Sequence, residues 1–99
     1  MAFDRLSAQT LALDLEVSRS GSRLRHIGAV LNSRHFAWAE GQGPAAEALA
    51  ALDDFGHSAT FVLGHNILRH DLPLLQTLAP GLRLLTLPVI DTLFLSPLA

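Results

Sequence analysis

The stretch LALDLEVS, Leu11 to Ser18, limits what this chain can fold into more than any other. Leu11, Leu13, Leu15 and Val17 alternate with Ala12, Asp14, Glu16 and Ser18, which is the period of a β-strand. One face is wholly apolar and can be buried. The other carries two carboxylates, Asp14 and Glu16, side by side. Two acids on one face repel each other, and any burial of that face adds a desolvation cost. A hard divalent cation removes both penalties, because it takes carboxylate oxygens as ligands. The competing reading is a half-solvated antiparallel strand whose wet face carries acids without a function.

The 99 residues suffice for one small domain, 1–99. Apolar residues make up 49% of the chain and charged ones 16%, which excludes disorder and provides a core. With no cysteine there is no disulfide framework and no thiolate metal site, which fits a cytoplasmic location. MAFDRLSAQT is charged from the start and does not read as a signal peptide. Pro80, Gly81, Arg83, Pro88, Asp91 and Pro97 break the apolar C-terminal run, so it is not a membrane span. A net charge of −2 excludes binding to nucleic acid by bulk charge alone. Arg19, Arg23, Arg25 and Arg34 lie close together and read as a solvated hairpin edge, with phosphate binding as the alternative.

In chain order, Leu11–Val17 is a strand, Ser18–Ser22 a turn, and Leu24–Leu31 a second strand. Phe36–Ala39 is a short third strand after a turn at Asn32-Ser33. Strands so close in sequence should form an antiparallel meander. Ala45 to Phe55 reads as a helix, with Pro44 at its start and Gly56 as its stop. Ala59 to Leu63 reads as a strand buried on both faces. A second helix is expected over Leu72–Leu78, entered through Asp71 and Pro73. Leu84–Ile90 reads as a further strand, with Pro88 implying an edge position or a late start. Asp91 or Thr92 then caps the start of a third helix, TLFL. The order predicts an α/β domain with a mixed sheet.

Two stretches carry a resemblance. LDLEV resembles the first motif of the DEDD (DnaQ-like) 3′–5′ exonuclease superfamily, an Asp-x-Glu on the first strand of a ribonuclease H-like sheet. GHNILRHDLPLL resembles its second motif, with Asn66 five residues before Asp71, the spacing of proofreading domains of family B polymerases. VIDTLFL is similar to the segment that follows in many DnaQ-like proteins. The sequence departs from the pattern at Val17, where threonine is common, and at His70, where phenylalanine is usual. The third motif, a His or Tyr ahead of a final Asp, is absent after Asp91. The resemblance thus implies the front two-thirds of such a domain, either cut short or continued in a longer polypeptide.

The activity implied is hydrolysis of phosphodiester bonds at single-stranded 3′ ends, with DNA favoured over RNA. Two Mg2+ or Mn2+ ions about 3.5–4 Å apart would serve it. Asp14, Glu16 and Asp71 are the implied ligands and catalytic residues. Asp71 has a competing role as a helix cap. Asn66, His65 and His70 are candidate substrate contacts. Leu15 is the candidate wedge against a terminal base, a role shared with Leu68, and core packing competes for both. His26, His35 and His57 read as packed or solvated, and Asp91 as a structural cap. Without the third motif the chain should bind metal weakly and cut poorly. The apolar Leu82–Leu95 region should also leave a bare surface that promotes a homodimer or segment swap. The alternative is a catalytically inactive accessory module of a larger DNA-processing protein, such as a RecQ-type helicase.

Overall fold

The leucine alternation settles which strand is central. In the computed structural model, which describes residues 9–21 and 23–94, β1 (Thr10–Val17) lies in the middle of a five-stranded sheet. With β2 (Leu24–Leu31), β3 (Arg34–Ala39), β4 (Phe61–Gly64) and β5 (Val89–Asp91), the strand order is β3-β2-β1-β4-β5. β2 is antiparallel to β1 and β3, whereas β4 is parallel to β1 and to β5. The sheet is therefore mixed, with only β2 reversed.

The meander follows from local chemistry. Asn32 takes a positive φ of 59°, which asparagine tolerates, and lets Arg34 pair directly with Leu31. β3 thus begins two residues earlier than the sequence reading placed it. At the other hairpin, Gly21 takes φ 73° and its N–H bonds the Ser18 carbonyl. Arg23 and Arg25 both reach Glu40, at 2.6 and 3.9 Å, so the arginine group is a solvated hairpin edge over this part. The register shifts between Glu16 and Val17, where β2 carries one extra residue, Arg25, opposite the end of β1.

Two parallel crossovers move outward in the same direction, β3 to β4 and β4 to β5. Right-handed connections place both helices, α1 (Ala45–Phe55) and α2 (Asp71–Leu78), on one face. That face is the leucine face. Leu11, Leu13, Leu15, Ile27 and Val62 are at most 4% exposed and share one core with Leu52 and Leu75 from the helices. Gly56 ends α1 with φ −93°, an ordinary value. A Cβ there would lie 2.9 Å from Leu11 Cδ2, so a larger residue would have to displace that buried leucine.

Several expectations need correction. β4 is buried on one face only: Val62 and Gly64 are covered, while Phe61 and Leu63 are half-buried on the other side. The helices lie on the same side of the sheet, so nothing among the described residues covers that second face. The Leu84–Ile90 stretch is not one strand. Arg83–Thr86 forms a 3₁₀ turn held by Asp53, whose carboxylate accepts the Arg83 and Leu84 N–H groups, and β5 starts only at Val89. Pro88 donates no hydrogen bond, but its carbonyl accepts one from Val62, so the strand is late and at the edge. Finally, Leu82 and Leu84 of the apolar Leu82–Leu95 stretch are buried, its exposed large members among the described residues are Ile90 and Phe94, and Val30, Leu68 and Leu78 add exposed apolar surface outside it. The expected third helix is a 3₁₀ turn, Thr92–Phe94, within the described residues. No helix among them is long and apolar enough to cross a membrane.

Candidate metal centre

The carboxyl ends of β1, β4 and β5 point the same way, the end at which open α/β sheets bind ligands. Asp14 and Glu16 lie near that end of β1, exposed, on the face without helices. Across β2, Asp14 stands opposite Gly28 and Glu16 opposite His26. Gly28 has no side chain, so the space beside Asp14 stays open. It forms part of a groove of about 330 Å³ bordered by Ala12, Asp14, Val30, Leu63, His65 and Thr92.

Asp71 reaches this end of the sheet from α2. Pairing of β1 with β4 stops at Ala12 and Leu63. Beyond it, the Leu15 N–H is taken by Asp71 Oδ2 at 3.3 Å. Asp71 Oδ1 accepts a hydrogen bond from His70 Nδ1 at 2.6 Å, since a carboxylate offers only lone pairs. Asp71 is 3% exposed. Burial pushes its carboxyl above the usual range. His70 and the Leu15 N–H pull against that shift, and the Asp14 carboxylate adds to it. The competing role of Asp71 is not realised: α2 has no side-chain cap, and Asp71 is its first residue.

The loop between β4 and α2 is built around Asp91. Its Oδ1 accepts the N–H groups of Asn66 (2.8 Å) and Leu93 (3.0 Å), and its Oδ2 accepts that of Leu68 (3.0 Å). Burial raises its carboxyl, but the Leu68, Leu93 and Asn66 amides and the nearby His65 outweigh this and hold it below the usual range. Asp91 is therefore a cap, as expected, and also the pin for a loop 25 residues away in sequence. Sequence spacing gives no sign of the second role.

Asn66 takes φ 58°, which accounts for an asparagine here, and its side-chain Oδ1 is buried without a hydrogen-bond partner. His65 is exposed, with Nδ1 3.1 Å from Thr92 Oγ1, and the Thr92 hydroxyl donates weakly to the Gly64 carbonyl at 3.5 Å. That hydroxyl has a single proton, so His65 Nδ1 is the donor and Nε2 is left free. Leu15 does not belong with these residues. It is 4% exposed on the helix-covered face, opposite Asp14 and Glu16, and corrects the expectation of a wedge against a base. Leu68 departs from the core reading in the other direction, at 47% exposed. Of the three remaining histidines, His35 and His57 are solvated, and His26 is half-buried with Nδ1 unpartnered.

A divalent ion fits these donors in kind. Asp14 and Glu16 present free hard oxygens, and Asp71 presents a carboxylate whose charge is poorly stabilised where it stands. They do not form a closed cluster: among the described residues, no three His, Asp or Glu side chains are grouped to hold an ion. Asp71 would have to exchange His70 for the metal. Comparisons with protein-family models, with curated proteins and with solved structures gave no match to this chain.

Proposed function

We propose that this chain carries the two-carboxylate strand and the third acid of a metal-dependent 3′–5′ exonuclease domain with a ribonuclease H-like fold. The observation that carries the reading is the placement of Asp71. A helix acid 55 or more positions from the acids of β1 is brought to the same strand, within electrostatic reach of Asp14, and held there against its own desolvation. Strained carboxylates of this kind are a mark of functional sites. The mixed sheet with its first strand in the centre supports the fold assignment. Asp14, Glu16 and Asp71 would hold Mg2+ or Mn2+, and the ion would supply an activated water and neutralise phosphate charge. Asp14 borders the groove and Glu16 stands beside it on the same exposed face of β1, His70 balances Asp71 in the absence of metal, and His65 stands at the groove wall.

One observation favours a second reading. Both oxygens of Asp71 are already bonded, and the three acids are not grouped, as expected of an accessory module that has lost catalysis.

The test is Mn2+-dependent shortening of a 5′-labelled single strand, run beside Mn2+ titration by calorimetry. The exonuclease reading expects metal binding that Asp14→Asn weakens at least about 10-fold, with residual cleavage falling at least about 100-fold. Metal binding without cleavage, or neither, would move the conclusion to the accessory module.

A further inference from the structure

Phe94 is the most exposed large apolar side chain among the described residues, at 60%, and Leu68 follows at 47%. An exposed phenylalanine alone means little. Here three further observations bear on it. The Arg69 guanidinium sits 5.8 Å from the centre of the Phe94 ring, and no ion pair to Arg69 is present among the described residues. Asp91 holds both segments at once, through the N–H of Leu68 on one and of Leu93 on the other, so the residues next to Arg69 and Phe94 are fixed by one buried carboxylate. The same two segments also contribute His65 and Thr92 to the wall of the groove that reaches Asp14.

We propose that Phe94, with Arg69 beside it and Leu68 at its edge, is a stacking platform for a base of single-stranded nucleic acid lying along that groove. The chemistry selects this ligand. A ring face accepts any base by stacking, and an arginine over the ring both stacks and answers a phosphate. Pinning by Asp91 means that little ordering is left to be done on binding. Arg69 is the one formal charge in the loop GHNILRH, a local positive character in a chain of net charge −2. That local character is why the occupant is a polyanion with flat bases rather than an apolar helix.

The inference rests on the nucleic-acid reading above, and its test separates the two. Binding of a fluorescent single strand is measured by anisotropy at low salt with EDTA present, so that no cleavage occurs. Phe94→Ala should weaken binding about 10-fold, Phe94→Trp should restore it, and Arg69→Gln should weaken it and flatten its salt dependence. Since Phe94 is exposed, its variants should melt with the parent chain, which circular dichroism checks. The decisive series places one abasic site at each of the last nucleotides in turn. In the parent chain one position should lose about 10-fold in affinity, and in Phe94→Ala no position should. No binding by the parent chain, no sensitive position, or equal sensitivity in both proteins would overturn the platform. Cleavage with Mn2+ that is indifferent to Phe94→Ala would overturn it and leave the exonuclease reading standing. Base-sensitive binding without cleavage would do the reverse.

Discussion

Gly64→Ala should destabilise the fold by about 3 kcal/mol, lowering the melting temperature by roughly 10–20 °C in a domain of this size. The added Cβ would lie 2.9 Å from the Leu13 carbonyl oxygen, 2.9 Å from Ile67 Cδ1 and 3.0 Å from Ile67 Cβ. Real Cβ atoms do not approach other atoms so closely. Ile67 is fully buried and Leu13 O belongs to the central strand, so neither can step aside cheaply. Gly28→Ala is the control. Its Cβ would meet His26 Cε1 at 3.5 Å and Asp14 O at 3.8 Å, ordinary contacts on the open face. Urea denaturation of the two variants should differ by about 2 kcal/mol or more. Equal stabilities would mean that β1 and β4 can part at Leu13 without penalty.

The second large effect is a split between stability and activity at Asp71. Asp71→Asn keeps an acceptor for the Leu15 N–H and removes the buried charge, so at pH 7 it should be at least as stable as the parent chain. Asp71→Ala leaves that N–H buried and unpaired, and should lose about 1–3 kcal/mol. The pH dependence follows from the raised carboxyl. A carboxyl raised in the fold contributes stability that is present below its unfolded value and lost as pH rises through its folded value. The gap between Asp71→Asn and the parent chain should therefore open as pH rises through that range, and close in acid. Asp91, whose carboxyl is lowered, acts oppositely, since its contribution is lost as pH falls. Thermal melts across the acid range check both signs. If the Asn variant also loses Mn2+ binding, Asp71 is an acid retained at a cost to the fold, as expected of a ligand. A stable variant that binds Mn2+ unchanged would remove Asp71 from the site.

Local signals made much of this legible from residues alone. The alternation of Leu11 to Val17, the Asn32-Ser33 turn and the Ala-Leu run after Pro44 are decided by neighbours a few positions away, and β1, β2 and α1 fall where those signals place them. Failures came where distant partners decide. Arg83–Thr86 leaves the strand pattern because Asp53, 30 residues earlier, captures two of its N–H groups. The open face of β4 depends on both crossovers running the same way, which no window of ten residues contains. At the site, the residue types and the Asp14–Glu16 spacing were readable. The plug of Asp71 into the edge of β1 and the three amides gathered by Asp91 were not. The alternation itself placed Leu15 on the apolar face, where it is buried; the wedge came only from the resemblance.

The sheet also has a built-in order of assembly. β1, β2 and β3 are joined by turns of a few residues, so their pairing closes small loops. The pairing of β1 with β4 must instead close a loop of roughly fifty residues, and entropy delays such contacts. The meander should therefore form first as a nucleus, and β4, the Asn66–His70 loop and α2 should dock last. Native-state amide exchange should show this half opening first, with the Leu15 amide, held by Asp71 alone on that edge, exchanging before that of Ile27. The acids of β1 would then stand on a finished scaffold before Asp71 reaches the strand beside them.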